Sequence, residues 1–364
     1  MQALEMSVSL SARGHRMTLA ALPDSKLLVA ATERGISTVP LAMRGYVHPL
    51  LTAKLARAIK ERSVDVVHAQ HSRDIATVVP AMLLSGRRPP VILSKRVGSL
   101  VSKRDPFHRL TYGHVSRVLA VSSVIRKNVI ETTPIPPERV IVLHDAVDTR
   151  RFNPATVDPQ AFRRTLAFGD DTLVVGCLGR FSPGKGHEEL LHAAAVVRDN
   201  HPGVRFVVVG EASFGEEAYA KSVRDLAVRL RLDETVIFTG FRPDVPEVMA
   251  AFDIFVFPSH AEAFGMALIE AMAMRKPVVA SSSDGVLDIV QQGVSGVLVP
   301  PKNPLALALA ITRLVDNPDL RTRLGQAARE RVVIHFDHER QIDSLEAIYT
   351  SLLKSAPPTS PTRS

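Results

Sequence analysis

Tryptophan is absent from the 364-residue sequence, cysteine occurs once, and aromatic residues make up only 5%. With a single Cys177 no internal disulfide is possible, which predicts a cytosolic protein. Cys177 sits in an apolar strand pattern and reads as a small core residue. No apolar run approaches the ~20 residues a membrane-spanning helix needs. The N-terminus lacks the charged-then-apolar pattern of a signal peptide. Scarce aromatics and the lack of any reader motif argue against a nucleic-acid-binding protein. No Gly-x-Gly-x-x-Gly segment is placed after a strand, which argues against a dinucleotide oxidoreductase.

What is present is a globular composition, 46% hydrophobic and 23% charged, long enough for two domains. The net charge of +8 is lopsided. Residues 1–165 hold 25 Lys and Arg against 12 Asp and Glu, a net of +13, whereas residues 166–364 hold 20 against 25, a net of −5. A basic half of this kind suits an anionic partner: nucleic acid, a lipid headgroup or a phosphorylated acceptor.

Apolar runs of strand length alternate with helix-period stretches in both halves. Strands are expected at Met17–Leu22, Ser37–Leu41, Val64–Ala69, Pro90–Leu93, Arg117–Val121 and Val140–Leu143, with helices at His48–Lys60 and Ile75–Leu84. The rhythm weakens near Arg150–Ala167, around Pro154 and Pro159, and this stretch is read as a linker. It restarts with strands from Leu173–Leu178 to Gly296–Val299, ending in helices over Leu305–Asp316, Pro318–Phe336 and His338–Leu353. Strand–helix alternation predicts α/β domains with doubly wound parallel sheets. The expected division is an N-terminal domain over 1–165, a C-terminal domain over 166–337, a helix over 338–354 crossing back to the first domain, and a disordered tail over 355–364. The chain opens on a helix-like segment, Gln2–Arg13, where a doubly wound domain normally has a strand and a glycine-bearing turn. That first strand is expected to be missing.

Two segments carry chemistry. Gly179-Arg180-Phe181-Ser182-Pro183-Gly184-Lys185-Gly186 lies between a strand and a helix, where amide groups point outward and bind phosphate. Its two cations suit a diphosphate. It departs from an ATPase phosphate loop, because Gly186 stands where a Mg²⁺-binding hydroxyl belongs and Pro183 removes a donor. The second segment, Pro258 to Ala273, places Glu262 in a loop and Glu270 eight positions later, about one and a half turns into a helix that starts near Gly265. A loop carboxylate accepts from sugar hydroxyls, the amides of Phe264, Gly265 and Met266 meet an anion, and the helical carboxylate holds a ribose diol.

With these segments the C-terminal half resembles the family 4 glycosyltransferases, which have the GT-B fold: two Rossmann-like doubly wound domains facing across a cleft. The resemblance rests on GRFSPGKGHEELL and AFDIFVFPSHAEAFGMALIEAMAMRKPVVAS, with support from FVVVGE and VIFTGF. DVVHAQHSRD, RVLAVSSVIRKNVI and VIVLHDAVDTRRF fit more loosely in the N-terminal half. The resemblance implies retaining transfer of a hexose from a nucleoside-diphosphate sugar to an acceptor hydroxyl, in cell-envelope glycan or lipopolysaccharide-type glycolipid synthesis, with no cofactor and no metal. It implies catalytic roles for Glu262, Arg180 and Lys185. It assigns donor binding to Gly179, Phe264, Gly265, Met266 and Glu270, with Gly240 and Phe241 at the turn near the base.

Acceptor binding is expected from the N-terminal half, at His71, Lys95 and Arg96, with His68 and Ser94 alongside. The basic stretch Lys103, Arg104, His108 and Arg109 is expected to meet an anionic membrane surface or a lipid-linked acceptor, which would make the protein peripheral at the inner face of the plasma membrane. The sequence departs from the family at Asp145-Ala146 and at Asp284-Gly285-Val286-Leu287-Asp288, where the pattern is Gly-Gly-x-x-Glu. Two other activities share this architecture: a nucleotide-sugar epimerase, and a truncated, silent nucleotide-sugar-binding protein.

Overall fold

The computed structural model describes residues 2–42, 48–169 and 171–355; the tail expected at 355–364 lies outside the described residues apart from the last helical position. The chain divides into two compact units, 1–144 with 339–364, and 145–338.

Among the described residues the first unit carries six parallel strands: β1 (Thr18–Ala21), β2 (Ser37–Pro40), β3 (Val67–Ala69), β4 (Val91–Lys95), β5 (Val115–Ala120) and β6 (Val140–Val142). Among the described residues they do not form one sheet: β1 pairs only with β2, while β3 to β6 pair in sequence order. The helix Gln2–Ala12 turns Leu4, Met6 and Leu10 inward, and the C-terminal helix His338–Ser355 adds Ile342, Leu345 and Leu352 against Ile92 and Leu119. At its start Gln341 Nε2 donates to the His144 carbonyl, 2.6 Å. Arg13, just past the first helix, bonds Glu339, Asp343 and Glu346 of the last one. These surface pairs fix orientation more than they add stability.

The second unit has one six-stranded parallel sheet, β7 (Val174–Leu178), β8 (Arg205–Val209), β9 (Val236–Gly240), β10 (Ile254–Phe257), β11 (Val278–Ser281) and β12 (Val297–Val299), in the order β12-β11-β10-β7-β8-β9. β10 and β11 are buried along their whole length, which is why they are continuous apolar runs rather than alternating ones. Gly176 in β7 is required by packing: a Cβ there would stand 2.1 Å from the Phe252 ring. The strand order reverses between β7 and β10, and open α/β sheets bind ligands at such a reversal, outside the carboxyl ends of the strands.

The stretch read as a linker belongs to this second unit, so the boundary falls at Asp145 and not at 165. The reason is burial. Phe152 and Phe162 are almost fully covered, and the helix Pro159–Thr165 buries Arg163, which donates to the Ala251 carbonyl (2.9 Å) and pairs with Asp253 (2.6 Å). Two prolines masked an element whose anchors are single large side chains rather than a periodic face.

Candidate functional site

The site grows from the turns that follow β7 and β10. After β7 the chain is pinned to its neighbour, with the Gly179 amide donating to the Val209 carbonyl (3.0 Å) and the Phe181 amide to the Glu211 carbonyl (2.9 Å). Gly184 and Gly186 take left-handed φ values of 84° and 76°. Gly186 has a second reason to be glycine, since a Cβ there would lie 2.1 Å from the Pro258 carbonyl oxygen in the turn after β10. Gly186 caps the helix His187–Asn200 without a side-chain hydrogen bond, so the first amides of that helix have no capping side chain. Gly265, at φ 134°, starts the helix Met266–Ala273 in the same way.

The two turns are joined by direct contacts. The His260 amide donates to the Gly184 carbonyl, 2.8 Å, and His260 Nε2 comes within 2.9 Å of Glu189 Oε1, a close contact without hydrogen-bond geometry. Lys185 Nζ donates to Glu262 Oε1. Between them lies a pocket of about 430 Å³, within the usual range for small-molecule sites. Of the residues expected to bind donor, Gly179, Arg180, Lys185, Glu262, Gly265, Met266 and Glu270 line it. Arg180 also donates to Ser213 Oγ, 3.3 Å.

Three expected donor residues are not brought into this pocket. Phe264, whose backbone amide is the expected contact, turns its side chain into the core, 4% exposed and edge-on to Phe336. Gly240 adopts φ 73° and its carbonyl accepts from the Gly210 amide (2.9 Å), which ties the turn after β9 to the end of β8; Phe241 follows it, largely exposed and outside the lining.

Sequence reasoning missed His187, Ser259 and Arg151. Buried His187 lies flat on Phe181, ring centroids 4.4 Å apart, and burial pushes its pKa down to about 4, so it is neutral. The pocket walls desolvate Glu270 and raise its pKa to about 7, against a lowering by the Arg151 charge. Arg151 is presented by a turn in which Asp148 Oδ1 accepts from the Arg150 and Arg151 amides, 2.9 and 3.2 Å. More than a hundred residues separate it from Glu270 in sequence, and no spacing rule links them. Cys177, also in the lining, is buried and its thiol is pushed up to about 12, which makes it unreactive. Asp284, in the family's glycine position, is exposed and holds φ 42°, while Gly285 packs where a Cβ would meet the Ala263 carbonyl at 2.3 Å. Among the described residues no cluster of three His, Cys, Asp or Glu is arranged to hold a metal.

In the first unit, His71 follows β3 while Lys95 ends β4 and Arg96 follows it, so these residues come from neighbouring strand ends. Arg96 donates to Gln70 Oε1, 2.9 Å. Lys95 is half-buried, and burial together with the charge of Lys103 lowers its pKa to about 8. Neither lysine has a described carboxylate within ion-pair distance. His68 is a structural residue, buried between Tyr349 OH (2.7 Å) and Ser94 Oγ (2.8 Å), with burial and the Arg96 charge lowering its pKa to about 3. No described helix is long and apolar enough to cross a membrane.

A six-stranded sheet with a cationic turn and two pocket carboxylates at its strand reversal defines a Rossmann-type ligand-binding unit. Comparison with known proteins gives the family. Residues 158–331 match the model for glycosyl transferases group 1, and residues 1–151 match that for glycosyltransferase family 4. The D-inositol 3-phosphate glycosyltransferase of Salinispora arenicola is 32% identical over 319 residues, 83% of this chain and 67% of that protein. The protein of the same name from Thermobispora bispora is 30% identical over 84% of this chain and 70% of that one. The chain belongs to the family 4, group 1 glycosyltransferases. It spans about two thirds of the length of these relatives. A glycosyltransferase from Rickettsia africae has the same fold, with a TM-score of 0.86 at 21% identity over 97% of this chain and 94% of that one. So does Anabaena HepE, crystallised with UDP and glucose, with a TM-score of 0.79 at 24% identity over 96% and 95%. The expected GT-B fold class is that of these neighbours.

Proposed function

We propose that the protein transfers a hexose, with retention of configuration, from a nucleoside-diphosphate sugar to a hydroxyl of an anionic acceptor. The observation that carries this reading is the convergence of Arg180, Lys185, Glu262 and Glu270 on one pocket at the β7/β10 reversal. Arg180, Lys185 and the amides at Gly265 meet the charge that grows on the departing diphosphate, the kind of preorganised stabilisation that contributes most to such reactions. Glu262 orients the hexose. Its pairing with Lys185 holds both side chains in place before the donor arrives. Glu270 accepts from the ribose hydroxyls. The acceptor attacks from the face of the leaving group, and the leaving phosphate takes the hydroxyl proton.

Lys95 and Lys103 of the first unit, with no described carboxylate within ion-pair distance, suit an acceptor carrying phosphate, and the relatives' name points to a polyol phosphate. A glycolipid of the cell envelope carries the same chemistry, with the basic stretch 103–109 at an anionic membrane surface. A panel of UDP-, GDP- and ADP-sugars tests the donor reading by thermal stabilisation of the chain and of Glu270→Ala. A ligand at ~100 times its Kd adds roughly 2.7 kcal/mol to stability. A selective shift lost in the variant is expected; a folded protein that no donor stabilises would sink the reading. Transfer to inositol phosphate, with or without chelator, then tests the acceptor class and the absence of a metal requirement.

A further inference from the structure

The helix Met266–Ala273 carries Glu270 into the pocket, yet it is only eight residues long and has no basic side chain in its own last turn. Amides just past its end take the carbonyls of Glu270, Ala271 and Met272, which leaves the Ala273 carbonyl for a donor from elsewhere. That donor is Arg329 Nη1, from the helix Pro318–His335. Four residues earlier on the same helix face, Gly325 permits the close approach: a Cβ there would stand 2.3 Å from the Arg275 carbonyl oxygen.

Arg329 bonds a second element as well. Nη1 donates to the Phe152 carbonyl, 2.8 Å, and Nη2 to the Thr149 carbonyl, 3.3 Å. These two carbonyls bracket Arg151, the residue whose charge acts on Glu270. The far side of that turn is fastened by the Val147 amide on the Phe336 carbonyl (2.9 Å) and by Thr149 Oγ1 on Asp337 Oδ2 (2.6 Å). Arg151 itself is exposed and lies over the Phe152 ring, 5.4 Å from its centroid. The other charged residues of the pocket have partners of their own: Lys185 pairs with Glu262, and Arg180 bonds Ser213. Arg275, past the end of the Glu270 helix, acts on Arg329.

We propose that Arg329 is a positioning residue of the donor site: by bonding the Glu270 helix and the Arg151 turn at once, it keeps the Arg151 guanidinium beside the Glu270 carboxylate. The inference rests on the donor reading above. A planar guanidinium fork suits the task, because it presents several fixed donors where a lysine offers one compact ammonium. Arg329 lies outside the pocket lining and acts through Arg151. Withdrawal of the Arg151 charge favours the protonated carboxyl of Glu270.

Wild type, Arg151→Gln, Arg329→Gln and the double variant are titrated calorimetrically with UDP, GDP, ADP and inorganic pyrophosphate between pH 5.5 and 8.5. Each single variant is expected to bind the preferred nucleoside diphosphate about fivefold more weakly than wild type at pH 7, and less than about twofold more weakly at pH 8.5, where Glu270 is ionised with or without Arg151. Pyrophosphate, which has no ribose, is expected to bind all four proteins alike at each pH. The double variant is expected to match Arg151→Gln, because one substitution already removes what the other controls. An Arg329→Gln profile like that of wild type, a loss equal at every pH, or a loss that adds to that of Arg151→Gln would overturn the positioning role and leave the donor site standing. Arg329→Lys carries the same test if the glutamine variant does not fold: a smaller loss at pH 7 is expected, and a wild-type profile would overturn the role. A wild type that binds no nucleoside diphosphate would overturn the donor reading and the positioning role with it.

Discussion

The two units solve the same architectural problem with different completeness. The second closes six strands into one sheet around a dense core, with residues such as Phe181, Phe206 and Phe255 essentially without solvent contact. The first splits its strands into a pair and a foursome and leaves apolar side chains in solvent along the stretch after β4: Val97, Leu100, Val101 and Leu110 are all more than two-thirds exposed. The comparison teaches that rigidity and chemistry coincide in the second unit, where the pocket residues rest on fully paired strands. The first unit keeps its charged candidates at strand ends next to an exposed loop. Loops held by a rigid scaffold are where recognition varies.

The largest effect that would test this division is on turnover. Lys185→Ala and Glu262→Ala are expected to lower kcat/KM by roughly 10²- to 10³-fold, as losses of preorganised charge do. Lys95→Ala is expected to raise the acceptor KM about tenfold and to leave donor binding, measured by calorimetry, unchanged. Donor affinity that falls with Lys95 would break the assignment of donor and acceptor to separate units.

Next in size is a packing test. Gly176→Ala places a methyl group into the Phe252 ring, and such overpacking costs typically ~1–3 kcal/mol. Hydrogen exchange should show the loss of protection confined to β7, β8 and β10, with β4 and β5 of the first unit unaffected. Loss in both units at once would show that they unfold as a single cooperative body.

The same contrast explains what the sequence reveals. β10 and β11, buried on both faces, are legible as uninterrupted apolar runs, and the two chemical segments are legible because strand, glycine turn and helix fall within a few residues of each other. In the first unit the helices Lys26–Glu33, Pro106–Gly113 and Ser123–Thr132 escape notice. The first two are only eight residues long, and the last buries only Ile125 and Val129, too few positions to establish a helical period. Side-chain direction is likewise silent in sequence: that the Phe264 ring packs edge-on to Phe336 is seen only in the fold. Arg151 near Glu270, and Tyr349 on His68, are contacts that only the folded chain creates.

The pocket itself has a pH signature. With its pKa near 7 in the empty protein, Glu270 is protonated below that value and loses one of the oxygens that accept from a ribose diol. Donor affinity is expected to fall as pH drops below about 7, by up to tenfold per unit, and Glu270→Gln should bind weakly at every pH. An affinity flat from pH 8 to 5.5 would show that donor binding does not depend on the ionisation of Glu270.

The smallest effect separates the units by acid stability. His68 titrates near 3 in the folded first unit and near 6.5 when unfolded, so the stability from its neutral form is present above 6.5 and is lost as pH falls toward 3. At pH 5.5 the loss is about 1.4 kcal/mol, one unit below the unfolded value. In the second unit His187, near 4, has a similar loss at that pH. Glu270 acts with the opposite sign, because its raised pKa lets the folded state take up a proton between about 7 and 4.5, and this gain offsets the whole of the His187 loss. Acidification from pH 7 to 5.5 should therefore weaken hydrogen-exchange protection in β3 to β5 before it weakens β7 to β10. Glu270→Gln removes the compensating slope and should bring the two units to equal acid sensitivity, whereas Tyr349→Phe, which leaves His68 with one partner, should cost the first unit about 1 kcal/mol at both pH values and leave its acid sensitivity unchanged.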